Sequence, residues 1–155
     1  MMVTNALRLV KQAGIEVEER EYEVVPDDFD GTHVAQQLGL DSAQVFKTLV
    51  TQNAKREHFV FVVPVCEELD LKKAAKAAGQ KSIEMLPLKE LTNVTGYVRG
   101  GCSPVGMKKK LPTFIDETAI LFDRISVSAG QRGVQMLINA EQLAEYTGAK
   151  LVELT

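Results

Sequence analysis

Apolar residues fall at helical spacing near the start of the chain. Ala6, Leu7 and Val10 form one stripe within residues 3–13, Thr4 stands at a capping position, and Gly14 provides the stop. Residues 15–25 (IEVEEREYEVV) change to β-branched and charged types with imperfect alternation, which predicts an edge or half-exposed strand. A polar turn, PDDFDG at 26–31, leads into a short helix over 32–38 closed by Gly39. Asp41 and Gln44 have capping-box spacing, so one more helical turn is expected there. Residues 46–52 (FKTLVTQ) and 58–65 (HFVFVVPV) read as strands, the second apolar enough to be central. Asp70 caps the clearest helix, with Leu71, Ala74, Ala75 and Ala78 as its core stripe and Gly79 as its end. A short strand over 82–86 follows, then a small helix opened by Pro87 with Leu88 and Leu91 facing inward. Beyond a glycine-rich stretch, residues 113–116, 119–123 and 125–128 read as strands. The third continues into the turn SAGQRG, and residues 134–138 are the last apolar strand. Asn139 caps a final helix over 141–146 that stops at Gly148.

Short strands interleaved with short helices, without linkers or repeats, predict one α/β (α+β) domain over residues 1–155 with a mixed, curved sheet. Helix spacing is too irregular for a doubly wound dinucleotide fold, and GxGxxG is absent. Hydrophobic content of 45% and charged content of 25% are ordinary for a globular chain. The net charge of −3 confines any nucleic-acid contact to a local patch. Cys66 and Cys102 are too few for a disulfide framework or a cysteine-based zinc site, and only His33 and His58 could help them. Reduced thiols in a cytoplasmic protein are therefore expected. Neither a signal peptide nor a membrane span is expected from the pattern.

The densest chemical signal is GYVRGGCSPVGMKKKLP at 96–112, with four of the eleven glycines, two of the five prolines and three consecutive lysines. Gly100 and Gly101 present amides of the kind an anion or oxyanion needs, and Lys108, Lys109 and Lys110 add positive charge. A surface loop with a solvated lysine run is the alternative. Lys47 occupies a strand among apolar and β-branched neighbours, either answered by an anion or snorkelling from an edge. Tyr22 is packing with a wet hydroxyl or a site residue. Phe29, alone in an acidic loop, folds back on the core or covers a pocket. Lys72, Lys73 and Lys76 form a solvated helix face or extend the basic patch. Ser128 and Arg132 lie in the second small-residue turn. No HExxH, P-loop or Ser-His-Asp pattern is present. The remaining polar set binds an anion and steadies an oxyanion but does not obviously activate water, so a substrate bringing its own nucleophile is one solution.

Taken together, FKTLV around Lys47, LDLKKAAKAAG at 69–79, TGYVRGGCSPVGMKKKLP at 95–112 and VSAGQRG at 127–133 resemble the YbaK family of aminoacyl-tRNA deacylases. The likeness runs from about residue 5 to the end of the chain. It implies the editing-domain fold, a curved sheet or barrel flanked by short helices, and hydrolysis of misacylated tRNA without metal or cofactor. Among family members, those that clear cysteine from proline tRNA are most alike. In them the substrate thiol attacks the ester and releases a thiolactone. By the same resemblance Lys47 would hold the substrate, and the Gly101 amide would steady the oxyanion. Tyr22, Phe29, Thr48 and Ser128 match pocket positions, with Gly100 and Arg132 beside them. Lys72, Lys73, Lys76, Lys108, Lys109 and Lys110 are candidates for tRNA phosphates on electrostatic grounds. Prolyl-tRNA synthetase is the partner the resemblance implies, and a monomer or weak homo-oligomer is expected. Two positions depart from the pattern. Gln135 replaces a family aspartate, which leaves the amino-acid preference open between cysteine and alanine or serine. Cys102 replaces an aliphatic residue, as a nucleophile or as packing. A deacylase for alanine or another small misacylated residue, and a non-catalytic tRNA- or synthetase-binding module, are the other readings.

Overall fold

A computed structural model describes residues 4–155. The expected start of the first helix at residue 3 lies outside the described residues. Among the described residues, eight strands are interspersed with five α-helices: α1 (Asn5–Gln12), β1 (Val17–Glu21), α2 (Gly31–Leu38), β2 (Phe46–Gln52), β3 (His58–Pro64), α3 (Leu71–Ala78), β4 (Glu84–Met85), α4 (Leu91–Thr95), β5 (Thr113–Asp116), β6 (Ile125–Gln131), β7 (Val134–Ile138), α5 (Ala140–Thr147) and β8 (Lys150–Val152). One sheet runs β1-β7-β6, all antiparallel. The other runs β4-β2-β3-β5-β8, antiparallel up to β3 and parallel beyond it. A parallel bridge between Val45, the residue before β2, and Ser126 of β6 joins the sheets.

The apolar run in β3 is explained by burial on both faces. Val60 and Val62 enter the larger core, with α1, β6 and β7; Phe59, Phe61 and Val63 enter a smaller one with Ala74 and Ala75 of α3. Phe61 stacks on Phe114 of β5 with ring centroids 5.2 Å apart. Helix ends follow their capping residues. Thr4, Asp70 and Asn139 accept from amides of the first turn, and Gly39, Gly79 and Gly148 take left-handed conformations at the C-caps. Asp30 likewise starts α2.

Five expectations are corrected. Asp41 accepts the Ala43 amide in a turn, and no helical turn follows it. Leu71 is exposed at the first position of α3. Leu88 is exposed at the rim of a 3₁₀ turn, Leu88–Glu90, and of the two only Leu91 packs against the core. Residues 119–123 are not a strand. The buried Asp116 carboxylate accepts the Thr118 amide and starts a 3₁₀ turn over Glu117–Leu121. β7 is not the last strand: β8 follows, and the same carboxylate accepts the Leu154 amide at 2.9 Å.

Candidate active site

A cavity of about 510 Å³ opens where β2 parts from β6, roofed by residues 25–31 and α2. Tyr22, Phe29, Lys47, Thr48, Gly100, Ser128, Arg132 and Gln135 all line it. The topology brings them together from the residue after β1, the loop before α2, β2, the glycine-rich loop, β6, the β6–β7 turn and β7. Tyr22 is placed because its amide continues the β1–β7 ladder to Gly133 O at 2.9 Å. Ser128 and Gln135 are cross-strand partners and share one face.

Lys47 is half-buried, and its ammonium has no hydrogen bond or ion pair among the described residues. Its charge reaches Asp30. That carboxyl is held below its usual range first by the Thr32 hydroxyl and amide, with His33 and Lys47 adding to them. On the opposite face of β2, the Thr48 hydroxyl is buried without a partner. Gln135 is 6% exposed and accepts from the Ser126 hydroxyl at 2.8 Å, which leaves its Nε2 donors to the cavity.

The glycine pair acts differently from the expectation. The Gly101 amide donates to Val98 O at 3.0 Å, so it is spent in closing a turn. Gly101 is buried against the β6–β7 turn, where a Cβ would lie 3.0 Å from the Arg132 amide nitrogen. Gly100 has φ +83°, and a Cβ there would meet Arg132 Nε at 2.9 Å. Its own amide has no partner among the described residues and lies at the cavity wall. The loop is pinned from behind by Tyr97, whose hydroxyl donates to Val105 O at 2.5 Å, and burial pushes that hydroxyl's pKa up to about 12.

Arg132 is a staple rather than a free anion ligand. Its guanidinium donates to Val25 O, Pro26 O and Asp28 O at 2.9–3.1 Å and lies 4.3 Å from the Phe29 ring centroid. Arg99 reaches the same ring at 4.0 Å. The acidic loop is thereby held over the cavity, and Phe29 covers it. Cys102 belongs to the larger core and lines the cavity wall. Burial pushes its thiol up to about 12, which makes it packing and not a nucleophile.

His33 carries a role that residue types alone did not show. It lines the cavity, and its Nδ1 lies 2.6 Å from Asp28 Oδ2. The Asp28 hydrogen bond and charge raise its pKa, with Asp30 adding to the effect. The available signal was its place in the first turn of a helix preceded by three aspartates, Asp27, Asp28 and Asp30. None of the six candidate tRNA lysines lines this cavity. Lys73 donates to Thr155 O at 2.5 Å and pairs with Glu153 at 3.4 Å, so it ties α3 to the segment after β8. Lys72 and Lys76 are exposed on α3, as is Lys108 in its loop. Lys109 and Lys110 line a second cavity of about 320 Å³ with Tyr146 and Thr147. Among the described residues, no group of three or more His, Cys, Asp or Glu is placed to hold a metal ion. No helix among them is long and apolar enough to cross a membrane.

Residues 29–146 match the Aminoacyl-tRNA editing domain family. The chain belongs to that family. Its activity class is accordingly aminoacyl-tRNA deacylase, with aminoacyl-tRNA as substrate. It is 45% identical over 152 residues to an Enterococcus faecalis protein named "Putative Cys-tRNA(Pro)/Cys-tRNA(Cys) deacylase EbsC", covering 98% of this chain and 93% of that one. Among solved structures, a "putative trans-editing enzyme for prolyl tRNA synthetase" superposes with TM-score 0.80 at 24% identity, covering 99% of each chain. A hypothetical protein superposes with TM-score 0.85 at 19% identity, over 95% of this chain and 96% of that one. These two show the mixed α/β fold with short helices.

Proposed function

We propose that this editing domain removes cysteine from mischarged tRNA(Pro), with the substrate's own thiol as nucleophile. One observation carries the reading. The cavity offers an unpaired ammonium at Lys47, while the cysteine in its wall, Cys102, is packed into the larger core, where burial raises the pKa of its thiol. The relative from E. faecalis, whose name includes Cys-tRNA(Pro), supports the same substrate. In the reaction the substrate sulfur attacks the ester carbonyl carbon. The carbon–oxygen ester bond breaks, and the thiol proton ends on the ribose hydroxyl, giving a thiolactone and free tRNA. Lys47 positions the acyl group by its charge. The Gly100 amide, rather than that of Gly101, faces the developing oxyanion. Tyr22, Phe29 and Ser128 enclose the acyl group, with Arg132 holding the roof. Lys72, Lys76 and Lys108 to Lys110 serve tRNA phosphates, and prolyl-tRNA synthetase supplies the remaining recognition in the cytoplasm.

The test is deacylation of tRNA(Pro) carrying cysteine, S-methylcysteine, alanine or serine. Cysteine ester should be lost fastest, with thiolactone detected by mass spectrometry, and S-methylcysteine should survive. Lys47→Ala should lower kcat/KM about 10- to 100-fold, the worth of one charge-assisted contact. Equal loss of S-methylcysteine and cysteine esters would refute the thiol mechanism. The Asp28–His33 pair favours a second reading, a deacylase for alanine or serine esters. Above its raised pKa, neutral His33 would take a proton from water, and alanine release would then climb with pH.

A further inference from the structure

The open edge of β2 is a binding element in its own right. β2 pairs with β3 along its whole length. The Asn53 amide donates to Glu57 O and the Val65 amide to Val45 O, both across to the β3 side. In an antiparallel ladder this fixes the alternation: Lys47, Leu49 and Thr51 turn their main-chain groups to β3, and Phe46, Thr48, Val50 and Gln52 turn theirs to the other edge. Along that edge β4 pairs with Thr51 and Gln52, and the Leu86 amide takes Val50 O at 3.1 Å. At the opposite end Ser126 bridges Val45 and donates to Gln44 O at 3.0 Å. Between these two attachments neither neighbouring strand pairs with Thr48. Its N–H and C=O face the gap, and the gap opens into the cavity.

The walls beside this edge are apolar. Met85, Leu86, Leu88 and Leu91 line the cavity there, and Met85 and Leu88 are 44% and 55% exposed. A strand edge offers one donor and one acceptor side by side in the plane of the sheet, and apolar side chains above and below suit a flat ring. The complementary ligand is planar, carries an acceptor next to a donor, and has apolar faces.

We propose that the Thr48 edge receives the Watson–Crick edge of the adenine on the substrate's terminal ribose, its N–H donating to N1 and its C=O accepting from N6. This rests on the deacylase reading, because the acyl group of an aminoacyl-tRNA is carried on a terminal adenosine. It also explains two features. The exposed Met85 and Leu88 become base-stacking walls. Lys47 and Thr48, adjacent in β2, divide the substrate between them, acyl group to one and base to the other.

The test uses 3′-cysteinylamino-3′-deoxyadenosine, a stable amide, with its inosine and purine-riboside counterparts, titrated into wild type and Thr48→Val. The adenosine compound should bind about 10- to 100-fold more tightly than the inosine compound, the range of one bidentate base contact. Purine riboside should fall between them. Because the main chain makes the contact, Thr48→Val should keep the adenosine-to-inosine ratio. The Thr48 amide resonance should move on adding the adenosine compound and stay in place with the inosine one. Equal affinity for the two bases, an unmoved Thr48 amide, or no binding of any of the three at millimolar concentration would each overturn the assignment. The deacylase reading is judged separately, by ester loss from charged tRNA. Base-indifferent binding with intact ester cleavage therefore removes only the adenine assignment.

Discussion

The Thr48 hydroxyl is buried in the cavity wall without a partner, a cost the folded chain carries in the absence of substrate. Thr48→Val should therefore raise unfolding stability by about 1 kcal/mol in urea titration while slowing deacylation. A second expectation concerns the thiols. Cys66 is exposed, and Cys102 is buried with its thiol pushed up to about 12. Iodoacetamide at pH 7.5 should give one adduct, at Cys66, by mass spectrometry. Labelling at Cys102 in native protein would contradict the packing role. At this scale the sequence was legible where a residue type was out of place. Lysine in an apolar strand and phenylalanine in an acidic loop both line the cavity. It misled where one residue type serves two purposes. Gly101 reads as an anion donor, yet its amide closes a turn and a Cβ there would crowd the main chain of the β6–β7 turn.

The loop from Asp28 into α2 shows how an element carries its own pH response. The Asp28 carboxyl is lowered by the Asp30 amide and by His33, and His33 is raised by Asp28. The lowered group contributes stability above its unfolded pKa and loses it as pH falls through its folded value. The raised group contributes below about pH 6.5 and loses it as pH rises through its folded value. The pair is thus strongest in mildly acidic solution. The gap in thermal midpoint between wild type and His33→Gln should be largest near about pH 5–6 and shrink above neutrality. Capping gives a second test. Asn139 accepts the Gln142 amide at 3.0 Å and donates to Asp123 O at 3.2 Å, so Asn139→Ala should cost about 1 kcal/mol in chemical denaturation. Strands β2, β3, β5 and β7 were legible because both faces or alternate positions are apolar. β8 was not, since three residues hold no period, and residues 119–123 misled because the Asp116 side chain decides their turn.

For the whole molecule, the cations that remain for tRNA are few. The net charge is −3, and Lys73 is engaged with Glu153 and Thr155 after β8. Phosphate-dominated affinity should be weak and fall steeply with salt. Adding prolyl-tRNA synthetase at non-saturating deacylase should raise the rate of cysteine release several-fold, most visibly at about 150 mM salt. An unchanged rate would remove the synthetase from the proposed recognition. Helix ends, apolar strands and the chemically odd residues are readable from the chain alone, because capping, periodicity and misplaced polarity are local. Tertiary structure alone decided which of them meet. The Val45–Ser126 bridge joins two sheets distant in sequence, the edge of β2 away from β3 is left open at Thr48, and Arg132 folds the acidic loop over the gap. Strand pairing and loop docking are set by contacts between segments about 80–100 residues apart, and no local pattern encodes which edges stay open.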